Sequence, residues 1–94
     1  MAASIRALGS GTIAATDYTV LVVGNVSLPA PDATNTGRLY HIINGNTNTY
    51  VVTGTFRDAG SAGTVGSVTL NSTAGAKGFT VQSDGSQWWI LTRE

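Results

Sequence analysis

The residues able to do chemistry are few and scattered. His41 is the only histidine, set in Leu39-Tyr40-His41-Ile42-Ile43, and the chain has no cysteine. A zinc site needs three or four ligands, and an acid–base histidine needs a partner to orient its ring. No glutamate adjoins His41, so it reads as a structural or interface residue. Asp17, Asp32, Asp58 and Asp84 each fall at a predicted turn or strand edge, where aspartate bonds nearby backbone N–H groups. Their spacing pairs no two carboxylates for glycoside hydrolysis. It also gives no Asp-x-Asp loop for calcium. The serines form no Gly-x-Ser-x-Gly elbow, and Lys77, the one lysine, belongs to no phosphate loop. Neither a catalytic constellation nor a cofactor or metal site is expected.

Aromatic and cationic side chains offer recognition chemistry instead. Trp88, Trp89, Tyr18, Tyr40 and Tyr50 can stack on sugar rings or fill a core or subunit interface. Trp89 is the more interfacial tryptophan of the two. Trp89, Tyr50, Arg38 and Arg57 are the candidate ligand or interface residues, with Arg93 a further candidate for pairing between chains.

The elements that must position these residues are strands. No window places apolar residues at helical spacing, and β-branched residues and glycines interrupt every segment. Strands are predicted over residues 5–8, 12–15, 19–23, 25–28, 39–43, 49–55, 67–70, 78–82 and 88–92. Asp84-Gly85 marks a hairpin. Asn44-Gly45-Asn46 marks a second turn, on the ground that Asn and Gly tolerate positive φ. Pro29 and Pro31 stop the strand that ends at Leu28. Residues 30–36 form a surface loop, and residues 58–66 a mobile one.

Period-two alternation assigns the faces. Val26 and Leu28 share one face, as do Tyr40 and Ile42, Phe79 and Val81, and Trp88 and Ile90. These eight are the predicted core or subunit-packing residues. Trp89 and Leu91 occupy the other face of the last strand. A strand apolar on both sides is expected to be covered on both, here with a second copy supplying part of the cover.

Composition bounds the function. The 94 residues carry no net charge and only 11% charged residues, against about 25% in a typical domain. There is no basic patch for nucleic acid. The longest strongly apolar run, Val20-Leu21-Val22-Val23, falls far short of the roughly 20 residues of a membrane span. The first residues lack the apolar stretch of a signal peptide. Glycine, threonine, serine and asparagine fill 40 positions, so one thin core with a polar, nearly uncharged surface is expected.

Three segments together resemble a small β-domain of bacteriophage tail fibres, tail spikes and other virion appendages. They are Val26-Ser27-Leu28-Pro29, Gly37-Arg38-Leu39-Tyr40-His41-Ile42-Ile43-Asn44 and Val81-Gln82-Ser83-Asp84-Gly85-Ser86-Gln87-Trp88-Trp89-Ile90. The resemblance spans roughly residues 17–92. It implies a homotrimer, with Trp88 and Ile90 on the packed face of the last strand and Val26 and Leu28 packed similarly.

The combined expectation is an all-β chain of short antiparallel strands, a small sandwich or β-prism completed by homotrimerisation. Residues 1–16 form an anchor or arm, and residues 17–94 the β-domain. The expected function is that of a non-enzymatic virion structural protein, a small fibre, decoration or attachment module assembled in the host cytoplasm. Its partners would be itself and, through the arm, other virion proteins. The alternative is a tip module that binds a host surface glycan or receptor. Nucleic acid and membrane insertion are not expected.

Overall fold

The computed structural model describes residues 4–94. These contain eight strands and no helix: β1 (Ile5–Leu8), β2 (Thr19–Val22), β3 (Val26–Ser27), β4 (Leu39–Asn44), β5 (Tyr50–Asp58), β6 (Val65–Leu70), β7 (Gly78–Ser83) and β8 (Trp88–Arg93). Seven of them follow the order β1-β2-β4-β7-β8-β5-β3, and β6 lies along β5. The chain after β1 then meets β3. Ile13 N–H donates to the Ser27 carbonyl at 2.8 Å, and Ser27 N–H donates to the Gly11 carbonyl at 2.9 Å. The sheet thereby curls into a nearly closed barrel.

β5 holds this ring together unusually. Along one edge it pairs with β6. Its other edge is shared, with β3 opposite Val52 and Thr53 and β8 opposite Phe56, Arg57 and Asp58. The change of partner coincides with a register shift between Thr53 and Phe56. There the local ladder is broken and the strand bends.

The all-β architecture agrees with the alternation in the sequence. Pairing and arrangement differ from the expected antiparallel sandwich or prism. One sheet forms, and it is mixed. β4–β7, β7–β8 and β5–β6 are antiparallel, whereas β1–β2, β2–β4, β3–β5 and β5–β8 are parallel. Parallel neighbours need a crossover rather than a hairpin. Residues 9–18 and 23–38 supply two of these crossovers, each travelling to the far wall of the barrel and back. The first carries Ile13, the second β3.

Met1, Ala2 and Ala3 lie outside the described residues. Within residues 4–16, β1 pairs with β2 and Ile13 is buried in the core. The strand expected over residues 12–15 reduces to a single bridge, Thr12 to Ser27.

All eight predicted packing residues (Val26, Leu28, Tyr40, Ile42, Phe79, Val81, Trp88 and Ile90) are buried within the single chain, together with Val20, Val22, Val52, Phe56, Val68 and Leu70. Tyr40 and Trp88 pack with ring centroids 5.2 Å apart, and Phe56 meets Phe79 edge-on at 5.6 Å. The polar tips of the buried aromatics are satisfied by the crossovers. Trp88 Nε1–H donates to the Pro29 carbonyl at 2.9 Å, and the Tyr40 hydroxyl to the Ala14 carbonyl at 3.0 Å. Among the described residues no buried side-chain polar atom lacks a partner. One close approach requires glycine, since a Cβ on Gly24 would lie 1.9 Å from the Gly9 carbonyl oxygen.

Candidate functional site

The outer surface of the barrel carries a continuous strip across four strands. Leu39 of β4 lies opposite Gln82 of β7, Gln82 opposite Trp89 of β8, and Trp89 opposite Arg57 of β5. Alternation directs these side chains away from the core that their neighbours Tyr40, Val81, Trp88 and Phe56 fill. The Arg57 guanidinium carbon stands 5.0 Å from the Trp89 ring centroid, within cation–π range. Arg57 Nε–H also donates to the Ser61 carbonyl at 3.3 Å, and Gln82 Nε2–H to the Gly37 carbonyl at 3.0 Å.

Asp84 anchors the strip from the β7–β8 turn. One carboxylate oxygen accepts the Ser86 and Gln87 N–H groups, both at 2.8 Å, and the other accepts the Trp89 indole N–H at 2.7 Å. These donors, the indole foremost, hold its carboxyl below the ordinary aspartate range. The turn forms as the Asp-Gly pair predicts, with Gly85 at φ 94°, a conformation glycine adopts without penalty. Leu91, left without a partner opposite by the register shift between β7 and β8, is 49% exposed. The single chain therefore does not supply the second cover expected for that strand.

The other candidates lie elsewhere. Tyr50 is at the opposite end of β5 from Arg57, roughly 20 Å away along an extended strand. Its hydroxyl accepts from Asn46 Nδ2 at 2.9 Å and Asn48 Nδ2 at 3.3 Å, which lowers its pKa. This turn differs from its expected basis, because no residue in it has positive φ. Asparagine side chains build it. Asn44 Oδ1 accepts the Asn46 N–H and Asn46 Oδ1 the Asn48 N–H, while Asn44 Nδ2 donates to the Asn48 carbonyl. Arg38 sits in the chain leading into β4, where its carbonyl accepts the Ser83 N–H. Its guanidinium opposes the upward shift that burial gives the Tyr40 hydroxyl. Arg93 pairs with Asp58 of its own chain at 2.8 Å.

Two features were hidden in the sequence. His41 does have a carboxylate partner, since its Nε2 meets Glu94 Oε1. The fold brings these residues together although they are far apart in the chain. No hydroxyl among the described residues bonds to the ring. Asn35, in the loop read only as surface, is buried. Its Oδ1 accepts the Asp32 N–H at 3.0 Å and the Ser83 hydroxyl at 2.9 Å, and its Nδ2 donates to the Ala30 carbonyl at 2.9 Å. Asn35 thus ties the 30–36 loop to the strand that leads into Asp84.

Among the described residues no three histidine, aspartate or glutamate side chains converge on a point, and no pocket is formed. No protein-family model, curated protein or solved structure matches the chain.

Proposed function

We propose that this chain is a non-enzymatic structural module of a phage virion, a small trimeric fibre, decoration or attachment unit on capsid or tail. The observation that carries the reading is the exposure of large apolar side chains on β8 and β4. Leu91 is 49% exposed, and Leu39, separated from Trp89 by Gln82, is 37% exposed, on a chain with no net charge to keep copies apart. The resemblance of three ordered segments to virion appendage domains supplies the biological setting. Other virion proteins would be its further partners. Sedimentation equilibrium at micromolar concentration tests the assembly. A particle of three chains of 9.6 kDa is expected, dissociating in Leu91→Lys, and a folded monomer overturns the reading.

The Trp89 strip favours a second reading, a receptor- or carbohydrate-binding tip. A partly exposed indole beside a guanidinium and a carboxylate offers both a stacking face and hydrogen-bonding groups. A glycan array decides it. Binding that disappears in a folded Trp89→Ala variant supports the tip module, and an array without hits rejects it.

A further inference from the structure

Two strand edges of the sheet are unpaired among the described residues, the outer edge of β6 and the outer edge of β1. The hydrogen bonds around them show which backbone groups are free. Thr53 gives its carbonyl to Leu28 N–H, and Val51 gives its N–H to Asn25 Oδ1. Both residues therefore direct their backbone groups away from β6. Their register partners in β6, Ser67 and Thr69, sit at non-hydrogen-bonded positions of the antiparallel ladder. Their own N–H and carbonyl groups point outward. On β1, Ser4 and Leu8 direct their carbonyls to Thr19 and Val23 N–H in the inward direction. Alternation then turns the backbone groups of Ile5 and Ala7 outward.

The β6 edge also lacks the charged residues and proline that blunt such edges. Natural edges carry charges, proline or a covering loop. Val65-Gly66-Ser67-Val68-Thr69-Leu70 contains no charged residue and no proline, and Val65 is 46% exposed. On β1 the one charge, Arg6, is committed to Asp17 through Nε and Nη2 at 2.9 and 2.7 Å. Ile5 beside it is 66% exposed. The two edges are matched in what they lack, since neither presents a free charge that would repel or select a different partner.

We infer that the β6 edge of one copy pairs with the β1 edge of the next, the outward backbone groups of Ser67 and Thr69 bonding those of Ile5 and Ala7. This rests on the self-assembly proposed above and names the surface that performs it. The contact is head-to-tail, and repeated around a closed ring it leaves no edge unpaired.

Thr69→Pro is the deciding variant. It removes an outward N–H while leaving the β5-facing ladder intact, a position where edge strands accept proline. The expected result is conversion of the assembled species to a 9.6 kDa monomer with an unchanged tryptophan emission spectrum. Thr69→Pro assembling like the parent overturns the edge pairing but leaves self-assembly standing. A monomeric parent overturns both. Should Thr69→Pro fail to fold, cross-linking gives an independent answer in this cysteine-free chain. Ala7→Cys/Ser67→Cys and Ala7→Cys/Thr69→Cys are oxidised and run without reductant. Covalent dimers and trimers from at least one double variant, with each single variant monomeric, are expected. Efficient dimers from Ser67→Cys alone, or no cross-link from either double variant, overturn the pairing with β1.

Discussion

Asn35→Ala tests how the 30–36 loop is attached to the barrel. The substitution removes three hydrogen bonds, from Asp32 N–H, from Ser83 Oγ–H and to the Ala30 carbonyl. At about 1 kcal/mol net for each, the expected loss is about 3 kcal/mol. That is a large share of the roughly 5–15 kcal/mol that holds a domain of this kind folded. In a chain of this length it corresponds to a fall in Tm of about 12–24 °C. Ser83→Ala removes the bond to Asn35 and the one from Gly85 N–H, and should cost about 2 kcal/mol. Because one bond is common to both, the double variant should lose about 4 kcal/mol rather than the 5 of simple addition. Urea denaturation followed by tryptophan emission measures all three. Trp89 reports on the Asp84 turn that Ser83 precedes, so Asn35→Ala should also shift its native emission. A loss below about 1 kcal/mol for Asn35→Ala, or strict additivity in the double variant, would refute the pinning of loop to strand.

Three further outcomes are expected. Trp88→Phe leaves the Pro29 carbonyl without its donor and a gap beside Tyr40, costing about 2–3 kcal/mol in chemical denaturation. Gly85→Ala places a side chain at φ 94° with its Cβ 2.8 Å from Thr36 Oγ1, so calorimetry should show a loss of about 1–3 kcal/mol. Asp17 is held below the ordinary carboxylate range by its hydrogen bonds from Arg6, with burial opposing and the Ala14 N–H assisting. A depressed folded pKa contributes stability above the unfolded value near 3.9 and loses it as pH falls through the folded value. Melting curves from pH 6 down to about 2 should therefore fall more steeply for the parent than for Asp17→Asn.

Local signals are legible in the sequence, and contacts between distant segments are not. The β7–β8 hairpin was legible because Asp84-Gly85 separates two alternating segments, and that alternation placed Trp88, Ile90, Phe79 and Val81 in the core. The parallel ladders were not legible. Period-two patterning says which face is buried but not which strand lies alongside, and no short turn marks a crossover. Ile13 falls in the strand expected over residues 12–15, because nothing local shows that it reaches β3. Asn35 looked like any loop asparagine, since burial of its side chain depends on Ser83 in another element. The His41–Glu94 contact was hidden for the same reason. In the candidate site, the spacing of Asp84 and Trp89 within one hairpin was visible. The neighbouring position of Arg57 depends on a parallel pairing between β5 and β8.

The shared edge of β5 has a consequence for how the chain reaches its native state. β3 comes from the first third of the sequence and β8 from its last residues, yet both dock on the same edge of β5. Neither half of the polypeptide can complete that strand alone, so a fragment from either side should lack an autonomous fold. Loop closure between distant segments must precede most of the stabilising contacts, which places the protein among slow folders for its size. The same interlocking discourages partially folded species, because opening β8 exposes β5 and unseats β3's neighbour in one event. Exchange of backbone amides in β3, β5 and β8 should accordingly proceed by a single opening with one free energy.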